Sequence, residues 1–297
     1  METSFDHWHP HMKRTPIDNE TSRNPGVRAI KRTTDVATRI GAKYTYIVGS
    51  NTGGMVDVVF LGINDIGERI YEWLTSREDT AVLALLTEKE QLSIVETLEP
   101  DLVVAGGFRH IVPEEVLEMP PLGAVNLHKS YLPYNRGANP NVWSILEGAP
   151  AGVSIHYMTS DVDGGPIIDR RRVTVEPDDD ARDLYERLED AQFEQFRDVW
   201  PSIRDGTTDT IEQGDDEGTY HLKRDFTALW ELDLDRRVRV EDIIDRLRAL
   251  TFEPYRNAYF EKDGTRYYVT IDIRREDAPV ESGVKAKNVP EYLEDEF

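Results

Sequence analysis

The spacing of apolar and polar residues divides the chain into strands and helices. Strands buried on both faces of a parallel sheet are indicated by nearly continuous apolar runs at 56–62, 80–86 and 101–105. Further strands are predicted at 124–128, 152–158 and 166–175. Helices are predicted after the first strand and at 91–98, 114–119, 140–147 and 178–201. This alternation predicts an α/β fold with a Rossmann-like, mostly parallel sheet.

The chain after residue 206 has a different pattern. A polar, acidic stretch at 207–217 predicts a linker. Apolar residues at helical spacing around 240–247 then precede two short strands with Asp263-Gly264 between them, which is a hairpin signal. We therefore expect a first domain at 55–206 and a small α+β module with a β-hairpin at 218–275. Residues 1–54 are predicted to be a disordered extension and 276–297 a flexible tail.

Candidate chemistry lies where the strand at 124–128 ends. Side chains alternate across a strand, so Asn126 and His128 point to one face, and a loop rich in Ser, Pro, Asn and Gly follows them. An amide can stabilise an oxyanion and an imidazole can move a proton near neutral pH, which suits acyl transfer. Asp163, in a Gly-flanked turn, is the candidate carboxylate that orients the imidazole. Taken singly, each of the three could instead be a turn or packed residue. His156, in the next strand, is expected to be packed rather than reactive.

Four motifs follow one another in this region: Asn-x-His-x-Ser-x-Leu-Pro at 126–133, Arg-Gly at 136–137, Gly-Val-x-Ile-His at 152–156 and Asp-Gly-Gly-Pro-Ile-Ile at 163–168. In this order they resemble the formyltransferases that use N10-formyltetrahydrofolate. That group includes methionyl-tRNA, glycinamide ribonucleotide and sugar N-formyltransferases, and the resemblance extends over about residues 56–206. The sequence of residues 130–140 most resembles the branch that acts on nucleotide-linked amino sugars.

The resemblance implies a role for several residues. The family's catalytic trio corresponds to Asn126, His128 and Asp163. The loop after the third strand implies a site for the formyl-folate co-substrate, with Asp163 and the candidates Phe108, Arg109 and Ile111. Candidate contacts to the nucleotide amino sugar are Ser130, Tyr131, Arg136, Gly137 and Trp143. Residues 248–259 resemble the C-terminal module of the sugar enzymes, which implies a homodimer. No metal is implied.

Bulk composition narrows the classes of partner. The chain of 297 residues has a formal net charge of −22, which argues against loose binding to nucleic acid. It has no cysteine, which excludes disulfides, thiolate metal sites and a cysteine nucleophile. No apolar run reaches the length of a membrane span or secretory signal, so we expect a cytoplasmic protein without membrane partners. The acidic, lysine-poor composition suggests adaptation to a salt-rich cytoplasm. His7, His9 and His11 could chelate a metal, but an unstructured extension is the favoured interpretation.

Three functions remain open at this point. The resemblance favours formyl transfer to a nucleotide-linked amino-deoxy sugar. Methionyl-tRNA formylation is the main alternative, although a basic surface and a larger C-terminal barrel are not evident. Formyl transfer to glycinamide ribonucleotide fits the Asp-Gly-Gly-Pro motif but is not expected of a chain with this C-terminal module. A non-catalytic protein that binds folate or nucleotide sugar is the alternative from another class. The segment between the second strand and the site is short for the family, which leaves the strand order open.

Overall fold

The computed structural model describes residues 54–62, 64–214 and 218–276. The predicted N-terminal extension with its three histidines and the predicted tail beyond residue 276 lie outside these ranges. Twelve strands occur in the described part of the chain: β1 (Val56–Leu61), β2 (Thr80–Leu86), β3 (Leu102–Ala105), β4 (Ala124–His128), β5 (Arg136–Gly137), β6 (Gly152–Tyr157), β7 (Ile167–Arg172), β8 (Tyr220–His221), β9 (Thr251–Phe252), β10 (Tyr255–Arg256), β11 (Tyr259–Lys262) and β12 (Thr265–Tyr268).

The helices of the described residues are α1 (Asp65–Thr75), α2 (Val95–Leu98), α3 (Glu114–Leu117), α4 (Pro140–Glu147), α5 (Ala181–Arg204), α6 (Lys223–Ala228) and α7 (Val240–Leu250), and a 3₁₀ helix (Lys89–Ile94) precedes α2. Two of them begin with a side chain that accepts backbone N–H bonds. Asn64 accepts from Gly67 at the start of α1, and Asp180 accepts from Arg182 and Asp183 at the start of α5. Such caps fix where a helix begins.

Six strands form one sheet in the order β2-β1-β3-β4-β6-β7. The first four of these are parallel to one another, whereas β6 and β7 are antiparallel to their neighbours. This arrangement confirms the prediction of an α/β, mostly parallel sheet and supplies the strand order that the sequence left open. The carboxyl ends of β1, β3 and β4 meet at one edge, where such sheets present their ligand sites.

Alternation along the strands separates two layers of core. In β1, Val58 and Phe60 pack on the side of α1 and α5, whereas Val59 and Leu61 pack on the side of the 3₁₀ helix and α3. Trp200 of α5 is fully buried, and burial of such a side chain contributes about 1.5–3 kcal/mol. Ala124 of β4 packs in the layer on the side of the 3₁₀ helix. The alternate positions 126 and 128 therefore lie on that same face, towards the edge of the sheet.

Two helix predictions differ from the structure. The helix expected at 91–98 is a 3₁₀ helix followed by the single turn α2, which ends at Glu99 in a left-handed conformation with φ 45°. The long helix expected to end near Pro201 continues to Arg204. Pro201 removes one i→i−4 hydrogen bond in this last turn, and burial of the neighbouring Trp200 and Ile203 offsets that cost. None of the described helices has both the length and the apolar character that crossing a membrane requires.

The segment predicted as a linker packs against the first domain over 207–214. Ile211 and Ile167 exchange two backbone hydrogen bonds of 2.8 Å, so the chain pairs with the first residue of β7. Beyond the gap in the described residues, β8 pairs with β5 in parallel. The α+β module then follows, with hairpins β9/β10 and β11/β12, and Arg248 of α7 donates to the Asp179 carbonyl at 2.8 Å.

Candidate active site

Strand β4 places two polar side chains at the carboxyl edge of the sheet. Asn126 and His128 lie on the same face, and their register partners on the antiparallel β6 are His156 and Ser154. Leu127 between them points to the opposite layer of core. Because register partners of an antiparallel pair share a face, Asn126, His128 and His156 lie together.

Asp163 reaches these side chains from the turn between β6 and β7. The residue is in the left-handed conformation with φ 52°, which Asn and Asp adopt more readily than other residues with a side chain. Its Oδ1 lies 3.2 Å from Asn126 Nδ2, and its Oδ2 lies 3.5 Å from His128 Nδ1. The backbone N–H of Gly137 donates to Oδ2 at 2.9 Å. The structure thus brings together the three residues that the sequence predicted to form the trio.

The environment of Asp163 favours the carboxylate form. Burial by itself would raise its pKa, but the neighbouring imidazoles of His128 and His156 and the Gly137 N–H hold the pKa well below its usual range. Asp163 is therefore ionised at neutral pH and can orient or stabilise a positively charged imidazole. No group of three or more His, Asp and Glu residues in the described ranges is arranged to hold a metal ion.

Both ring nitrogens of His128 face oxygen atoms. Nε2 lies 3.0 Å from the Asn135 carbonyl oxygen, while Nδ1 faces Asp163. A neutral imidazole donates from only one nitrogen, whereas an imidazolium donates from both. Because the Asn135 carbonyl and the carboxylate can only accept, the doubly protonated ring satisfies both contacts, whereas a neutral ring with its hydrogen on Nδ1 requires Nε2 to leave the Asn135 carbonyl.

His156 is the residue of this site that the sequence analysis assigned to packing. It is 2% exposed, and its Nδ1 lies 2.8 Å from the Tyr157 carbonyl, so Nδ1 carries the hydrogen. Its Nε2 lies 3.2 Å from Asn126 Nδ2 and 3.5 Å from Asp163 Oδ1. The burial was expected, but the contact with Asn126 was not. The register of β4 against β6 is the signal that would have found it.

The Asn126 amide is engaged on both sides. One hydrogen of Nδ2 points towards Asp163 Oδ1 and the other towards His156 Nε2, both at 3.2 Å. These are long hydrogen bonds. A stronger acceptor, such as an oxyanion, can therefore displace one of them.

Comparison with known proteins is consistent with this chemistry. Residues 75–199 match the family described as formyl transferase, and residues 225–275 match the N-formyltransferase dimerization C-terminal domain. The dTDP-4-amino-4,6-dideoxyglucose formyltransferase of Mycobacterium tuberculosis is 36% identical over 177 residues, which cover 59% of this chain and 74% of the relative. The chain belongs to the formyltransferase family.

Other members of the formyltransferase family differ in substrate. Methionyl-tRNA formyltransferase of Bacillus thuringiensis is 31% identical over 215 residues, covering 71% of this chain and 65% of the relative. The formyltransferase PseJ of Anoxybacillus kamchatkensis, solved with UDP-4,6-dideoxy-4-formamido-L-AltNAc and tetrahydrofolate, is 35% identical with a TM-score of 0.51, covering 57% of this chain and 87% of that one.

Three of the four residues predicted to contact formyl-folate, Phe108, Arg109 and Ile111, lie on the loop after β3. Ala105 at the end of β3 is the register partner of Asn126, so this loop borders the site. Phe108 packs partly on the core and lies edge-on to His110, with ring centroids 5.3 Å apart. Arg109 and Ile111 are exposed, and an exposure of 66% for Ile111 leaves an apolar side chain at the surface.

The predicted sugar contacts divide into two groups. Tyr131, Arg136 and Gly137 are partly exposed, and Gly137 donates to Asp163 as described above. Ser130 is completely buried, and Trp143 stacks on His221 with ring centroids 3.9 Å apart. The Trp143 indole N–H donates to the Ala138 carbonyl at 2.9 Å, so this side chain packs against the loop that follows β4.

Proposed function

We propose that this protein transfers a formyl group from N10-formyltetrahydrofolate to the amine of a nucleotide-linked amino-deoxy sugar. The observation that carries the proposal is the convergence of Asn126, His128 and Asp163 at the carboxyl edge of the sheet. The substrate class comes from the similarity to enzymes whose names specify dTDP-4-amino-4,6-dideoxyglucose and a UDP-linked 4-formamido sugar. A 4-amino-4,6-dideoxy hexose is therefore the first acceptor to test, and a 3-amino-3,6-dideoxy hexose the second.

The reaction forms one C–N bond and breaks another. The neutral amine attacks the formyl carbon, and the electrons of the C=O bond move to its oxygen, which gives an oxyanion and a positively charged nitrogen. The amine then loses a proton, the oxyanion collapses, and the bond between the carbon and N10 breaks while N10 receives a proton. The site must therefore stabilise negative charge and move one proton.

The trio can supply both functions. To act as the base, His128 first loses its Nε2 hydrogen to solvent and gives up the contact with the Asn135 carbonyl, and the free Nε2 then takes the amine proton, directly or through water. Asp163 holds the Nδ1 hydrogen and stabilises the imidazolium that forms, since its own carboxyl stays ionised. Asn126 donates to the oxyanion by releasing one of its two long contacts. An imidazolium at His128 could equally assist the oxyanion.

The loop after β3 is the proposed folate side of the site. Phe108, Arg109 and Ile111 of this loop, together with Asp163, are the proposed contacts to formyl-folate. The exposed Ile111 offers apolar surface next to a strand whose last residue pairs with Asn126. The proposed sugar side is the loop after β4. Tyr131, Arg136 and Gly137 are available there for direct contacts, whereas the buried Ser130 and Trp143 are assigned to shaping the loop.

The C-terminal module is proposed to form a homodimer. The matching domain is described as a dimerization domain, and several large apolar or aromatic side chains of the module are exposed: Val240 by 73%, Tyr267 by 47% and Tyr268 by 47%. Exposed apolar side chains in one module are typical of association surfaces. Light scattering of the wild type and of Tyr267→Glu/Tyr268→Glu tests this, with a dimer and a monomer as the expected results. We also propose that the protein is cytoplasmic and adapted to a salt-rich environment.

Methionyl-tRNA formylation is the second candidate, supported by the 31% identical relative. The formal net charge of −22 disfavours it, because tRNA binding depends on neutralising phosphates with Lys and Arg. The deciding experiment mixes the protein with the formyl donor and, separately, dTDP- and UDP-linked 4-amino sugars, 3-amino sugars and methionyl-tRNA. Mass spectrometry of a formamido sugar is the expected result. Formylated methionyl-tRNA as the only product would favour the second candidate, and binding without any product would indicate a non-catalytic protein.

A further inference from the structure

Gln213 and Thr219 lie on either side of the gap in the described residues, and they contact the turn that carries Asp163 and the residue that faces His128. Both lie outside the motifs and outside the matched formyl transferase residues. Gln213 Nε2 donates to the Asp163 carbonyl at 2.9 Å and to the Gly165 carbonyl at 2.7 Å. Its amide therefore holds two carbonyls on the C-terminal side of the turn that carries the carboxylate.

Thr219 makes a similar contact on the His128 side of the site. Its Oγ1 accepts the Asn135 backbone N–H at 2.9 Å and donates to Asn135 Oδ1 at 2.9 Å. Asn135 is completely buried, and its carbonyl oxygen lies 3.0 Å from His128 Nε2. Thr219 thus fixes the backbone group that faces the proposed proton-transfer nitrogen.

The two contacted residues share an uncommon backbone conformation. Asp163 has φ 52° and Asn135 has φ 57°, both in the left-handed region. Asn and Asp tolerate this conformation better than other residues with a side chain, and tertiary contacts add to its stability. Gln213 and Thr219 provide such contacts, one for each turn.

Resting on the function proposed above, we propose that Gln213 and Thr219 are positioning residues that set the relative placement of Asp163 and His128. Neither side chain needs to touch a substrate. Each acts through a backbone turn, and a small displacement of a catalytic group is enough to reduce turnover strongly. Gln213 from the predicted linker and Thr219 from the start of the predicted C-terminal module would thereby complete the active site.

The test uses matched variants of the full chain. Thr219→Val removes the hydroxyl at nearly constant volume, while Thr219→Ser keeps it. Gln213→Leu removes the amide donor, and Glu212→Gln changes an exposed neighbour as a control. We expect kcat for formyl transfer to fall about 10–100-fold in Thr219→Val and Gln213→Leu, with KM for the formyl donor nearly unchanged. Thr219→Ser and Glu212→Gln should keep wild-type kcat.

Amide hydrogen exchange of the free protein provides a readout that does not depend on the substrate. Gln213→Leu should accelerate exchange at 161–165 and leave 134–137 unchanged, and Thr219→Val should show the reverse pattern. Wild-type exchange at both turns, or a lowered Tm with unchanged kcat, would overturn the inference. If the wild type formylates none of the sugars, the proposed function fails, and the exchange pattern still decides whether the two residues hold the turns.

Discussion

His128 and His156 contact opposite oxygens of one carboxylate. Nδ1 of His128 lies 3.5 Å from Asp163 Oδ2, and Nε2 of His156 lies 3.5 Å from Oδ1. Their remaining nitrogens differ in surroundings: that of His156 faces the Tyr157 carbonyl within β6, whereas that of His128 faces the loop where substrate is expected. One imidazole is therefore placed to exchange protons with substrate, and the other is placed to orient Asn126.

The two histidines should respond differently to substitution. His128→Asn removes the proposed general base, so kcat should fall by about 10²–10⁴. His156→Gln keeps an acceptor for the Asn126 amide and should cost no more than about 10-fold. Steady-state kinetics with saturating substrates measures both. Equal losses in the two variants would show that the roles assigned here are wrong.

His128 and Asp163 should behave as one unit. Asp163→Asn leaves His128 without its orienting charge, and the double variant His128→Asn/Asp163→Asn should be about as slow as His128→Asn alone, because residues that act together have non-additive effects. A double-mutant cycle on kcat/KM checks this. Effects that multiply would mean that the two residues act independently.

The depressed pKa of Asp163 predicts an acid-dependent stability. The pKa is lower in the folded state than the ordinary value of 3.8, so the carboxylate stabilises the fold above that pH and the contribution is lost as the pH falls below it. Urea unfolding should show Asp163→Asn less stable than the wild type by about 1–3 kcal/mol near neutral pH. The difference should shrink below about pH 4. A constant difference would contradict the ionised, hydrogen-bonded state.

A buried ion pair lies behind the site. Lys129, which follows His128, points into the opposite layer, where its Nζ lies 3.0 Å from Glu189 Oε1 and donates to Tyr185 Oη at 2.7 Å. Burial lowers the Lys129 pKa, and Glu189 opposes that shift. Lys129→Met should destabilise the protein by about 3–5 kcal/mol because it leaves a buried charge unpaired.

The matched variant for this pair is Lys129→Met/Glu189→Leu. Replacing both charges by apolar side chains should recover most of the stability lost in the single variant, since the desolvation cost of the pair also disappears. Urea unfolding measures each. A double variant less stable than Lys129→Met would show that the attraction between the two charges stabilises the fold by more than their desolvation costs.

The net charge of −22 predicts a strong response to salt. Self-repulsion among acidic side chains is screened as ionic strength rises, so the Tm should increase from low to multimolar KCl. Differential scanning fluorimetry measures this. A Tm that stays level or falls would contradict the expected adaptation to a salt-rich environment.

Local patterns were sufficient for the sheet and for the face shared by Asn126 and His128. Apolar runs mark strands buried on both faces, and the two-residue period of a strand fixes which side chains share a face. The turn that carries Asp163 could also be anticipated, because its flanking glycines and its place in the motif series are visible in the sequence.

The remaining site residues depend on pairing between distant segments. His156 meets Asn126 through the register of β4 against β6, and Gln213 and Thr219 reach the site through backbone groups of residues far away in the chain. Neither kind of contact leaves a periodic signal. A polar stretch such as 207–217 has the composition of a linker whether or not its side chains hold a neighbouring turn.

The most direct test of the central claim is the turnover of formyl transfer to a nucleotide-linked 4-amino-4,6-dideoxy sugar by the wild type, His128→Asn and Asp163→Asn at saturating formyl donor. We expect a formamido sugar with the wild type and a loss of at least about 10²-fold in His128→Asn and Asp163→Asn, with both variants folded. Near-normal turnover in either variant would contradict the roles assigned to His128 and Asp163.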